Sequence, residues 1–120
     1  MKLRTVATSV TLLGQVFISG CAMQPKTLYY WGEYQNQVHE YLQSADGGDI
    51  QKQVSTLEAG IEKARSGGQS LPPGYHAQLG MLYYAQGKPD QAVEQLQLEK
   101  STYPESAIYM DRLLARFKKS

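Results

Sequence analysis

A chain of 120 residues, 42% hydrophobic and 19% charged, has the size of one compact domain and leaves no room for a second of ordinary size. Its 12 basic and 11 acidic side chains nearly balance and are scattered, so there is no basic footprint for nucleic acid. A single cysteine excludes an internal disulfide, and neither His39 nor His76 has a partner at ligand spacing, so no metal is expected.

Met1-Lys2-Leu3-Arg4 supplies a positive start, and Val6 to Ile18 is a mostly apolar, uncharged run. That layout is a signal peptide over residues 1–20. As a helix the run would reach roughly 20 Å, short of the roughly 30 Å hydrocarbon core, which argues against a permanent membrane span. It ends in Ile18-Ser19-Gly20-Cys21, which resembles the bacterial lipobox, with Ile18 where Leu is most common. Small side chains let the backbone enter a peptidase site, and the Cys21 thiol accepts diacylglycerol. The resemblance implies that Cys21 becomes the acylated first residue of the mature protein, carrying diacylglycerol and an N-acyl chain such as palmitate. Two or three acyl chains hold a protein on a bilayer where one does not. Ala22 stands where an Asp would favour inner-membrane retention, so outer-membrane sorting, facing the periplasm, follows by default. Removal of Lys2 and Arg4 with the signal leaves 10 basic against 11 acidic side chains.

Residues 21–27 read as a polar tether and 28–120 as one helical domain. The domain opens on Leu28-Tyr29-Tyr30-Trp31-Gly32-Glu33-Tyr34, the densest aromatic cluster in the chain. Leu28 to Trp31 suits an extended segment. Tyr34, Val38, Tyr41 and Leu42 then fall on one helical stripe that Asp46-Gly47-Gly48 ends. Asp49 is placed to cap the next helix, although Lys52 rules out a reciprocal capping box. Ile50, Val54, Leu57, Ile61 and Ala64 repeat at alternating steps of four and three, and Gly67-Gly68 closes that helix.

Beyond Leu71-Pro72-Pro73-Gly74, the stretch from Tyr75 to Tyr103 resembles a tetratricopeptide repeat. Leu79, Gly80, Tyr83, Tyr84, Gly87, Ala92 and Pro104 take the family's usual positions within its repeat of about 34 residues. His76 replaces a typical Trp, Leu96 an aromatic and Glu99 an Ala. The last of these is expected to loosen contact with a neighbouring repeat. Met110, Leu113, Leu114 and Phe117 mark a final helix, with Lys118 and Lys119 at its C-terminal end. The fold expected is all-α: tetratricopeptide-like antiparallel hairpins of about five helices.

Chemistry-bearing residues are sparse. Glu33, Glu40, Glu58, Glu62 and Glu94 read as solvated helix faces, with Glu62 and Arg65 spaced to pair. His39 sits at the edge of its helix's stripe, and His76 takes a core-facing position. No nucleophile, base and oxyanion site occur together, so the chain is not expected to be an enzyme. Tyr29, Tyr30, Trp31 and Tyr34 either fill the core or form an interface, and Tyr84 is a candidate groove residue.

The lipobox, the repeat-like unit and the signature Leu28, Tyr30, Trp31, Gly32, Tyr34 and Tyr41 together resemble an uncharacterised family of small bacterial outer-membrane lipoproteins. That resemblance implies a gene beside a curli-secretion-type lipoprotein and a shared envelope assembly. The expected function is a lipid-anchored, non-enzymatic scaffold that binds a protein partner, with other envelope lipoproteins as candidates. The alternative is a binding module for peptidoglycan or an extended peptide, in a polar pocket lined by Tyr84, Gln78 and Gln91. No cofactor is expected beyond the covalent lipid on Cys21.

Overall fold

The computed structural model describes residues 27–119. The signal-peptide reading of residues 1–20, the lipobox residues Ile18, Ser19 and Gly20, the lipidation site Cys21 and most of the tether lie outside the described residues. Five α-helices follow in chain order: α1 Tyr34–Gln43, α2 Ile50–Ser66, α3 Tyr75–Ala85, α4 Pro89–Thr102 and α5 Ala107–Lys118. A 3₁₀ turn, Pro104–Ser106, leads into the last. The fold is all-α, and among the described residues the only extended pairing is the single parallel bridge between Tyr29 and Ser70.

Local chemistry sets the helix ends. The Lys52 amide donates to the Asp49 side chain at 3.0 Å, which caps α2. At the other end the Gly68 and Gln69 amides donate to the carbonyls of Arg65 and Ala64 at 3.1 and 2.9 Å. Gly87 and Lys88 repeat that arrangement after α3 on Tyr84 and Tyr83. Both are Schellman closures, and each needs the positive φ that its glycine adopts without a Cβ clash. Pro89 then opens α4 at a position where its missing amide costs nothing.

Neighbouring helices run antiparallel. From α3 to α4 the contacts pair Gly74 with Glu99, His76 with Gln95 and Gly80 with Ala92, so one chain ascends as the other descends. From α2 to α3, Gln51 meets Gln86, Glu58 meets Tyr83 and Leu57 meets Tyr75 in the same sense. Gly80 is required for this approach: a Cβ there would lie 3.1 Å from the Ala92 carbonyl and 3.2 Å from the Leu96 side chain. The core is Val54 and Leu57 from α2, Tyr75, Leu79, Leu82 and Tyr83 from α3, Ala92 and Leu96 from α4, and Met110, Leu113, Leu114 and Phe117 from α5. Ile50 and Ile61 pack at its margin, so all five predicted positions of α2 and all four of α5 face inward.

Two expectations need correction. The α1 stripe divides, because Tyr34, Gln37 and Tyr41 turn inward while Leu42 is 72% exposed. At 100° per residue Tyr41 lies between Tyr34 and Gln37, so the buried sector runs through all three and leaves Leu42, on the other side of Tyr34, out. Glu99 does not loosen a contact. Only 2% exposed, it accepts the Gly74 amide hydrogen at 2.6 Å and so caps α3 from the neighbouring helix. Gly74 is the N-cap and has no side chain to do this itself. The positive end of the α3 dipole suits that carboxylate.

Glu99→Ala leaves a buried amide without its acceptor and is expected to cost about 2 kcal/mol in urea unfolding. Glu99→Gln, which keeps an acceptor, should cost less.

Burial raises the phenols of Tyr34, Tyr75 and Tyr83 above their ordinary range, with the nearby carboxylates of Glu99 and Glu58 adding to the effect on Tyr34 and Tyr83 respectively. Burial, followed by the neighbouring Tyr29, pushes Tyr103 to about 12. These groups hold protons longer folded than unfolded. Their stabilisation is therefore complete below about pH 10 and lost as pH rises toward their folded values. The melting temperature should fall above pH 10, and absorbance titration should show these four phenols ionising after the exposed ones and together with unfolding.

Candidate functional site

The aromatic cluster begins where the described chain begins. Gln69 donates to the Thr27 carbonyl at 2.8 Å, the Ser70 amide to Leu28 at 3.3 Å and the Tyr30 amide to Ser70 at 2.8 Å, strapping the N-terminal segment to the loop after α2. From there the rings form a continuous path inward. Tyr29 meets Trp31 edge-on at 6.2 Å, Trp31 meets Tyr34 at 6.3 Å, and Tyr34 stacks on Tyr75 at 5.2 Å. Tyr75 is 1% exposed and donates its hydroxyl to the Leu57 carbonyl at 2.7 Å.

The five candidate aromatics therefore separate. Tyr29, Tyr30 and Tyr34 are half-buried and take part in packing, with the Tyr30 ring against Gly32 and Gly60. Tyr84 stacks on Phe117 at 4.0 Å with nearly parallel planes. Trp31 alone projects, at 41% exposure. It joins Tyr34, Gln35, Val38, His39 and Leu42 along an open groove of about 370 Å³ on the outer side of α1. No Asp, Glu, Lys or Arg lines this groove. Val38 and Leu42 were the residues the sequence stripe assigned to the core.

A second concavity, about 340 Å³, lies between the N-terminal segment and α2, lined by Tyr30, Glu33, Ser55, Thr56, Ala59, Gly60 and Lys63. Two of its hydroxyls are engaged: Ser55 donates to the Gln51 carbonyl and Thr56 to the Lys52 carbonyl. Glu33 accepts from Asn36 at 2.8 Å. The polar pocket expected from Tyr84, Gln78 and Gln91 does not form. The cavity at Tyr84 is about 170 Å³ and is lined by Met81, Tyr84, Leu113, Arg116 and Phe117, because α5 folds onto this side of α3. Gln91 is exposed on α4.

The remaining polar candidates serve the architecture. The Tyr83 hydroxyl donates to Glu58, and Tyr103 donates to the Leu71 carbonyl. His76 bonds Gln95 at 2.7 Å. Glu62 and Arg65 pair at 3.2 Å on the surface as their spacing predicts. Among the described residues no three His, Cys, Asp or Glu side chains cluster in a way that could hold a metal, and no helix is long and apolar enough to cross a membrane. At the far end of the helical row, α5 leaves Ile108 and Tyr109 exposed at 72% and 60%.

Compared with known proteins, residues 28–113 match a family model described as a domain of unknown function, DUF4810. The match spans the aromatic segment, the α1 groove and all the helices up to the middle of α5. No curated protein and no solved structure matches the chain.

The division of the aromatics has a direct consequence for stability. Leu42→Ala should shift unfolding free energy by less than about 0.5 kcal/mol, as surface changes do. Tyr34→Ala, which removes the ring stacked on Tyr75, should cost about 3 kcal/mol. Urea denaturation of the two variants checks the contrast.

Proposed function

The chain belongs to the DUF4810 family, and from that premise we propose that it is a lipid-anchored, non-enzymatic scaffold of the bacterial outer membrane, its helical domain facing the periplasm. The observation that carries this reading is the distribution of exposed apolar side chains. Apart from Leu98 on α4, they lie at the two ends of the helical row: Leu28, Trp31 and Leu42, with half-buried Val38 beside them, near the N-terminus, and Ile108 and Tyr109 on the last helix.

A stacked helical array ordinarily closes with a polar outer face. On α5, Met110, Leu113, Leu114 and Phe117 turn inward, yet its first turn still presents an isoleucine and a tyrosine to solvent. Tyr combines apolar area with a polar tip and is enriched where proteins bind one another. This end is assigned to a protein partner. The resemblance to lipoproteins encoded beside a curli-secretion-type lipoprotein favours another envelope lipoprotein in that role. Ile18-Ser19-Gly20-Cys21 supplies the anchor by acylation of Cys21. A peptidoglycan or extended-peptide site is less favoured, since the space at Tyr84 is taken by Phe117.

Mass spectrometry of protein from native outer membranes should find Cys21 acylated, and Cys21→Ser should release the protein from the membrane fraction. Crosslinking in those membranes should recover an envelope lipoprotein in stoichiometric amount. Ile108→Glu should abolish that recovery with helix content and membrane retention unchanged. Membrane background alone from the unaltered protein would overturn the scaffold reading.

A further inference from the structure

The groove on α1 has a different occupant. We infer that the face formed by Trp31, Val38 and Leu42 lies on the lipid surface itself, so that the domain docks sideways onto the bilayer to which it is tethered. The inference rests on the anchored reading above, through the position of Cys21.

Three observations carry it. The first is reach. Five residues separate Cys21 from Thr27, which is tied to Gln69, and the six Cα-to-Cα steps span at most about 22 Å when extended. The pole of the domain that holds Trp31 is therefore the one kept near the membrane. The second is composition. The groove offers Trp31, Val38 and Leu42 with Tyr34, Gln35 and His39, and no Asp, Glu, Lys or Arg in its lining. Glu33 lines the separate concavity shared with Lys63, and the Glu40 stem packs against Gly48 on the other side of α1. Trp is favoured at the boundary of hydrocarbon and headgroups, and an amphipathic helix there buries its apolar face about 5–10 Å deep. Within α1 that face runs from Tyr34 to Leu42, about 12 Å at the helical rise, with Trp31 in the turn just before it, long enough for α1 to lie flat.

The third is area. A stable second copy needs roughly 800 Å² from each partner, supplied by some 20–30 residues. Three apolar side chains in an open groove fall well short of that. They suffice for a tethered domain, because the anchor converts docking into an intramolecular step at an effective concentration of order millimolar. Weak apolar insertion is then populated. Since no Lys or Arg contributes, the contact rests on its apolar side chains and should persist at high salt.

The chain contains one tryptophan, and it lies in the proposed contact. Full-length lipidated protein is reconstituted into phosphatidylethanolamine and phosphatidylglycerol vesicles containing phospholipid brominated near the headgroup end of its acyl chains. Expected are a blue-shifted Trp31 emission, quenching by the brominated lipid that survives 0.5 M salt (about a 4 Å Debye length), and protection from aqueous acrylamide. Leu42→Glu should reduce the quenching severalfold while the protein still floats with the vesicles. Ile108→Glu, at the other end, should leave it unchanged. Trp31 open to acrylamide and untouched by brominated lipid in an acylated, floating protein would overturn docking and leave the anchor standing. Trp31 shielded from both quenchers in a protein that sediments as a dimer would overturn it in favour of a second copy. Absence of the acyl mass together with loss of flotation would overturn the anchored reading and this inference with it.

Discussion

Helix α3 begins on a glycine that has no side chain with which to cap it, and the structure is organised around the remedy. Glu99 reaches across from α4 to accept the Gly74 amide. A carboxylate buried at 2% exposure is costly, and here the Oε1 hydrogen bond and the positive end of the α3 dipole offset part of that cost, while Oε2 has no hydrogen-bond partner among the described residues. The bond fixes the stagger of α3 against α4, which Gly80 and Ala92 then permit to pack closely. Tyr34 also converges on this point. Its hydroxyl lies against Gly74, where any Cβ would come within 2.6 Å, and its ring stacks on Tyr75. One cluster of four residues therefore joins α1, α3 and α4, while the Tyr75 hydroxyl ties in α2 through the Leu57 carbonyl.

The outward face of α1 is a geometric result of that cluster. Docking Tyr34 fixes the rotation of the helix, and Gln37 and Tyr41 follow it inward. Val38 and Leu42 lie about 40° and 80° around the axis from Tyr34 at 100° per residue, and Trp31 in the preceding turn joins them along the same open groove. Rotating α1 to bury Leu42 would unstack Tyr34 from Tyr75 and withdraw its hydroxyl from Gly74. The apolar face and the buried core thus trade against one another, and the core has prevailed.

That trade explains what a reader of the sequence sees. The α2 and α5 faces are legible because their apolar residues keep one unbroken helical period. The helix ends are legible because Asp49, Gly68, Gly87 and Pro89 act on their nearest neighbours in the chain. On α1, however, apolar residues occupy two adjacent sectors, and periodicity alone does not say which one is buried. Glu99 was harder still. Its partner is 25 residues away, so a carboxylate at a usually small position reads as a misfit until the uncapped helix beside it is known. Tyr84 does line a cavity, as its repeat position suggested, but a smaller one whose other wall is Phe117 from a helix beyond the repeat.

The arrangement of polar groups also bears on function. Glu58, Glu99, Tyr75, Tyr83 and Tyr103 are the side chains whose burial or partners would suit them to chemistry, and each is committed to a hydrogen bond between elements. Freeing one for a substrate would loosen the row. The exposed apolar side chains, Leu98 on α4 apart, sit at the row's two ends, where the scaffold proposed above would meet its neighbours. With α1 laid on the bilayer as proposed, a domain of this size would raise the α5 end about 30 Å above the lipid. The anchor and the docked face would together fix the height and orientation of Ile108 and Tyr109, which a short tether alone would leave free to tumble.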